Sequence, residues 1–364
     1  MSVSTLAWPG APLAFVSAAL FGASTPLAKL LLGDGVNPWL LAGLLYLGSG
    51  IGLGILQIAR RAAGQAPAEA PLRRADLPWL AAIVLFGGAI GPVLLMVGLA
   101  ATPASTASLL LNLEGLATMG LAWIVFHENV DRRLLGGAAA ILAGAVVLSW
   151  RGGLGWGAPL WGMGAIAGAC LAWGIDNNLT RRLSAADPMQ IALVKGLAAG
   201  AANLALAILA GAHLPTPPLI GDAALIGFVG YGLSLVLFVL GLRHLGAART
   251  GAYFSNAPFI GAVLAIAMLG EPLTGRLIAA GVLMAVGLYL HLAEAHEHEH
   301  GHEALEHEHR HTHDVHHRHE HNPGDPVGEP HTHRHRHAPL VHKHPHYPDL
   351  HHRHGHSHEP AGAH

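Results

Sequence analysis

The stretch 105–126, STASLLLNLEGLATMGLAWIVF, is apolar enough to cross a bilayer, yet it carries a glutamate near its middle. Glu114 lies nine residues beyond Ser105. A helix rising ~1.5 Å per residue therefore sets it ~14 Å into a hydrocarbon layer ~30 Å thick. Insertion scales put a charge at that depth at roughly 2.5–3.5 kcal/mol, which neighbouring leucines at roughly 0.3–0.6 kcal/mol each can offset. Such a group turns from lipid toward a cavity, a partner charge or a bound cation. It can take up a proton or hold a cationic substrate. A protonated glutamate hydrogen-bonded between helices is the plainer alternative.

A second polar set follows in Asp176, Asn177 and Asn178, about seven residues from the end of a later apolar span. Lys195 lies at a similar depth in the next span, which starts from the same side, so an Asp176–Lys195 ion pair is expected. Snorkelling or a role in helix register is the alternative. If they pair, Glu114 is left as the unmatched charge. Asn112 lies two residues from Glu114, hence on another helix face, and reads as an interhelical hydrogen-bonding group. Tyr253, Ser255 and Asn256 form a third set, beside Pro258, which frees a backbone carbonyl for a ligand. An ordinary kink with packed polar groups is the competing reading. Ser24, Thr25 and Pro26 have similar status, and Trp173 reads as packing. Glu128 and Glu271 at helix ends read as structural, as do the N-cap candidates Asp131 and Thr274.

The remaining chemistry lies beyond Glu294, where 25 of the 29 histidines fall. Alternation sets His296, His298, His300 and His302 in one run and His307, His309, His311 and His313 in the next. His331, His333, His335 and His337 follow. Neutral imidazoles ligate Zn, Ni, Co and Cu, and the tail is expected to bind such ions. The spacing allows many ligand sets and fixes none. A low-complexity, pH-titrating tail without a metal role is the alternative. With Glu, Asp, Pro and Gly between the histidines, this segment lacks a core and is expected to be disordered.

The elements that position these groups follow from composition. The chain has 364 residues, is 52% hydrophobic and only 12% charged, against roughly 25% charged in soluble domains. About half of the charges fall in the tail, and mean hydropathy is +0.43. The expectation is an all-α, polytopic membrane protein with ten transmembrane helices. They are read at 11–32, 38–58, 77–99, 105–126, 134–150, 160–183, 188–210, 219–242, 247–269 and 273–292. The 47 glycines suit close helix packing in lipid. The start, MSVSTLAWPG, has no Lys or Arg and is a poor signal-peptide n-region, so the first helix is kept. The single cysteine, Cys170, excludes an internal disulfide and reads as packing. No basic nucleic-acid patch occurs in the membrane part.

Orientation follows from Lys and Arg. One set of loops holds Arg60, Arg61, Arg73, Arg74, Arg132, Arg133, Arg181, Arg182, Arg243 and Arg249. The opposite set offers Arg151 and Arg276, with Lys29 near a helix end. Both termini are therefore expected in the cytoplasm, with the protein in the plasma or inner membrane.

The chain also repeats itself. GLAATPASTASLLLNLEGLATMGLAWIVFHE, from Gly98 to Glu128, matches GLRHLGAARTGAYFSNAPFIGAVLAIAMLGE, from Gly241 to Glu271, in length and in both ends. FGASTPLAKLL from Phe21 answers WGIDNNLTRRL from Trp173. Each copy holds five spans, and an odd number inverts the second copy, giving two inverted five-helix repeats. Inverted repeats around a midplane site are a design of secondary transporters.

These features resemble the EamA family of the drug/metabolite transporter superfamily. The two copies, the stretch Gly22 to Lys29 and the helix-end Glu128 and Glu271 carry the resemblance. It implies repeats over 11–150 and 158–292, a tail over 294–364, a central cavity with alternating access, and export of small organic solutes. Glu114 and the Asp176–Asn178 run are more polar than the usual family pattern.

No phosphate loop, nucleophile elbow or HExxH occurs, so the protein is not read as an enzyme and needs no cofactor. Any energy for transport comes from an ion or solute gradient. The leading expectation is a secondary-active exporter of a small polar metabolite, proton-coupled through Glu114. The first alternative is a divalent Ni, Co or Zn exporter fed by the tail, although the membrane part lacks His and Cys ligand pairs. The second is a non-transporting, membrane-anchored metal store or sensor. Expected partners are the lipid bilayer, a small-molecule or cation substrate and metal ions at the tail, with no nucleic acid. A homo-oligomer is compatible with all three.

Overall fold

The computed structural model describes residues 10–64, 72–126, 132–150, 158–180, 183, 187–245 and 247–292. It also describes four tail segments. Glu128 and Asp131 lie outside these residues.

Helix α1 (Gly10–Gly33) and α2 (Pro38–Ala62) open the chain. Asn37 caps α2 by accepting the N–H groups of Trp39 and Leu40, and Pro38 supplies a preset first turn. The third rod is α3 (Leu77–Ile83), a π-helical turn over Val84–Ile90, and α4 (Gly91–Ala101). The fourth is α5 (Ala104–Leu110) and α6 (Leu113–Phe126), and α7 is Arg132–Ser149.

The second copy runs through α8 (Ala158–Thr180) and α9 (Pro188–Leu209), the latter capped by Asp187. It continues with α10 (Pro217–Gly227), a π-helical turn over Phe228–Leu233, and α11 (Ser234–Leu245). It ends in α12 (Ala247–Phe254), α13 (Ala257–Leu269) and α14 (Gly275–Leu292). The Thr274 hydroxyl accepts from Leu277 N–H, the N-cap expected from sequence.

Among the described residues seven helices are long and apolar enough to cross a membrane, and Ala257–Leu269 and Gly275–His291 are apolar but shorter. Two of the expected uninterrupted spans are in fact broken. The fourth breaks at Leu111–Asn112 and the ninth at Ser255–Asn256, at nearly the same place in the repeat. The Asn112, Ser255 and Asn256 side chains make local hydrogen bonds to the backbone that compete with the helix, and Pro258 lacks a donor N–H. The third and eighth rods instead carry matching wide turns, which sequence periodicity did not signal.

The packing shows the two-fold relation of the copies. With Gly98 set on Gly241, Gly144 aligns with Gly287 and Gly137 with Ala280. A Cβ on Gly144 would lie 3.0 Å from Ala280 O, and one on Gly287 would lie 2.6 Å from Gly137 O. The α7–α14 contact is therefore its own mirror under exchange of copies. Helix α2, the most enclosed of those seven, crosses α9 where a Cβ on Gly196 would meet Gly50 Cα at 2.8 Å. Small residues let backbones touch, and dispersion then holds helices that lipid would not drive together. Large side chains including Leu40, Leu41, Leu45, Leu95, Leu99 and Ile166 fill the centre.

The described backbone of the tail forms β1 (His296–His302), β2 (Glu306–His311), β3 (His331–Arg336) and β4 (Leu340–His346). These pair antiparallel as β1–β4 and β2–β3. Strict alternation matches the two-residue period of a strand. The register sets His298 opposite His344, His300 opposite His342 and His309 opposite His333. His313 and His337 lie outside the described residues.

Candidate functional site

The break in the fourth span places Glu114 in the first turn of α6. Helix α8 approaches closely here because residue 174 is glycine. A Cβ on Gly174 would sit 2.8 Å from Ala117 Cβ and 2.9 Å from Thr118 N. Asn177 and Asn178, three and four residues on, share that face of α8. Asn177 Nδ2 donates to Glu114 Oε1 at 3.0 Å and to Thr118 Oγ1 at 3.1 Å. Thr118 Oγ1 in turn donates to Glu114 O at 2.9 Å. Asn178 Nδ2 donates to Thr118 O and Gly174 O, at 3.0 and 2.8 Å.

Asp176 points elsewhere, toward the wide turn of the third rod. It is buried, and Lys195 Nζ donates to its Oδ2. This is the pair that equal depth on consecutive helices predicts. Gly87 makes room for it, since a Cβ there would overlap the Asp176 carboxylate and lie 2.6 Å from Lys195 Nζ. The wide turn also presents carbonyls sideways. Gly87 O accepts from Tyr46 OH at 2.8 Å and Trp173 Nε1 at 3.0 Å, and Gly88 O accepts from Asn203 Nδ2 at 3.1 Å. Trp173 is thus a hydrogen-bonding member of the site as well as packing. Tyr46, Thr118 and Asn203 were not foreseen, and only the Gly87–Gly88 pair hinted at the turn they serve.

From Tyr46 a chain of aromatic contacts runs to the ninth span. Tyr46 meets Tyr231 at 5.6 Å between ring centroids, Tyr231 meets Phe21 at 5.7 Å, and Phe21 meets Phe254 at 5.3 Å. Tyr253, Ser255 and Asn256 lie at the break beyond it. Ser255 Oγ donates to Gly251 O and Asn256 Nδ2 to Tyr253 O, while the Tyr253 side chain is exposed. The structure therefore gathers Glu114 with Asn177, and Asp176 with Lys195, while the hydrogen bonds given above for Ser255 and Asn256 run within the ninth span. Asn112 Nδ2 donates to Leu109 O on its own rod at 2.8 Å and, between helices as expected, to Met284 Sδ of α14 at 3.9 Å. The buried Cys170 thiol donates to Leu110 O at 3.6 Å, just before the break.

A crevice of about 370 Å³ opens beside this network between α6, α7 and α8. Leu113, Leu116, Trp123, Leu135 and Leu142 line it, so its chemistry is apolar. Among the described residues no three His, Cys, Asp or Glu side chains converge as metal ligands.

Two related helical bundles, central helices broken at matching positions and charge sheltered beside a break are the build of a multi-pass membrane transporter. The chain belongs to the EamA-like transporter family, which matches residues 8–150 and 160–293. It is 27% identical over 282 residues to an uncharacterized transporter of Methanothermobacter thermautotrophicus (strain Delta H), covering 74% of this chain and 82% of that protein. It is 29% identical over 205 residues to a probable amino-acid metabolite efflux pump of Salmonella typhimurium (strain LT2), covering 52% of this chain and 68% of the pump. One crystal structure shares the fold with a TM-score of 0.56 at 21% identity, over 78% of this chain and 96% of that one.

Proposed function

We propose that the protein is a secondary-active exporter of a small polar metabolite, coupled to protons through Glu114. One observation carries this reading. Lys195 is committed to Asp176, while the Glu114 carboxylate accepts, among the described residues, from the neutral Asn177 amide. A carboxylate whose hydrogen-bond donor is neutral is the group that a proton or a cationic cargo can occupy in turn. The name of the Salmonella relative supports efflux of an amino-acid metabolite as the cargo class. In this reading the rods form ten spans, the copies are inverted across the membrane, and the arginine-bearing loops and both termini face the cytoplasm.

The transport test is efflux from proteoliposomes holding amino acids and their analogues, run with the full chain. Exchange above that of empty liposomes for at least one amino-acid metabolite supports the reading. Flux of Ni, Co or Zn alone would move the protein to the metal-exporter alternative.

The tail is assigned a metal-binding role beside the pathway, with Zn, Ni, Co or Cu as ligand class. Alternating imidazoles, and the register that sets His opposite His, support it. Metal ligation requires neutral imidazole, so bound Ni or Zn should be retained at pH 7.5 and released as pH falls through about 6.5. Equilibrium dialysis with and without residues 294–364 checks this. Equal binding by the two forms would remove the role.

A further inference from the structure

The end of the bundle opposite the loops that hold most of the arginines carries charged groups that the proton pathway does not use. Lys29, on the last turns of α1, donates to three carbonyls where α4 ends. These are Leu99 O at 2.6 Å, Ala100 O at 3.2 Å and Thr102 O at 3.0 Å. Just past Pro103, Glu271 accepts from Ala104 N–H at 2.6 Å and Ser105 N–H at 2.8 Å, one carboxylate oxygen to each. Cation on carbonyls and anion on N–H groups match the polarity of the two helix ends. The Thr102–Pro103 turn is thus clasped between the first copy, through Lys29, and the second copy, through Glu271.

The clasp lies where the two copies close on each other. Helix α13 packs along α5 and α1. A Cβ on Gly261 would lie 2.8 Å from Ser108 Oγ and 2.7 Å from Gly22 O. Among the described residues α6 and α12, the other parts of the same two broken rods, do not pack along each other. The shut end also holds a polar group with no use for being shut. The Ser108 hydroxyl is buried between the copies without a hydrogen-bond partner. A permanent core rarely leaves such a group unpaired, whereas a seam that parts and wets in another state supplies its partner there.

We infer that Lys29, the Thr102–Pro103 turn and Glu271 form a latch that holds the α5–α13 seam closed, and that its release opens the pathway at this end. The inference rests on the transport reading for its purpose, but its test needs no cargo.

The full chain with Cys170→Ala and one introduced cysteine is treated in membranes with a membrane-impermeant maleimide. Ser108→Cys reports the seam. Asp34→Cys, in the exposed turn after α1, identifies the side of the membrane that carries the latch. From that side, Ser108→Cys should react slowly in the parent. It should react about tenfold faster or more once Glu271→Gln removes the charge-assisted hydrogen bonds. Lys29→Met should do the same, and it leaves Glu271 on its two N–H groups, so it decides the matter if Glu271→Gln melts early. An unchanged rate from the latch side in the folded variant overturns the latch, as does acceleration only from the opposite side. A chain that transports none of the tested solutes can still show the latch, and a transporting chain can still lack it.

Discussion

Glu114→Gln should uncouple solute movement from protons. An imposed difference of one pH unit is worth about 1.4 kcal/mol per proton, or about tenfold in solute ratio for one-to-one exchange. In an exchanger, proteoliposomes carrying the parent should therefore concentrate solute about tenfold on the more acidic side. The glutamine variant should bring the ratio to about one while downhill exchange persists. The substitution is mild in shape, because Asn177 Nδ2 can donate to the glutamine oxygen as it does to Glu114 Oε1. Thr118 bonds the backbone of residue 114 and is unaffected. Retention of the tenfold ratio by the variant would assign Glu114 to helix packing and move the proton elsewhere. Loss of all exchange, downhill included, would instead mark it as a ligand for the cargo.

Lys195→Met should be the most damaging single change to stability. It leaves Asp176 buried against the backbone of Gly87 with its cation gone. Breaking a buried pair from one side costs about 3–5 kcal/mol, a large share of the roughly 5–15 kcal/mol that holds many proteins folded. Adding Asp176→Asn removes the stranded charge, and the double variant should regain most of the loss, since a buried pair replaced as a unit is often near neutral. Thermal melting of the four chains in detergent closes the cycle. Additive effects, with no recovery in the double variant, would show that the pair is uncoupled.

The sequence made the rods readable because their apolar runs are long and bounded by charge or by Gly and Pro. The repeat was readable because Gly98–Glu128 and Gly241–Glu271 keep one length. The Asp176–Lys195 pair followed from depth alone, because both residues count back to the same side. What stayed hidden depends on contacts between distant segments. Trp173 looks like any apolar-span tryptophan until Gly87 O appears beside it. Glu271 read as a helix-end residue, and its partners at Ala104 and Ser105 lie 167 and 166 residues away in sequence. The breaks at Leu111–Asn112 and Ser255–Asn256 were masked by hydropathy, which sums over a window and does not register two residues leaving the helix.

The wide turns at Val84–Ile90 and Phe228–Leu233 work as phase shifters. Each takes up one more residue than an α-helical turn would, so the rod beyond is rotated by about 100° relative to an uninterrupted helix. Gly91, Leu95 and Leu99 are buried beyond the first turn, and Ser234 beyond the second. Which stripe of α4 and α11 meets the bundle interior is therefore written by residue count at these two places as much as by hydrophobicity. Losing a single residue from either turn would leave the composition of the rod almost untouched while swinging its inward stripe toward the acyl chains.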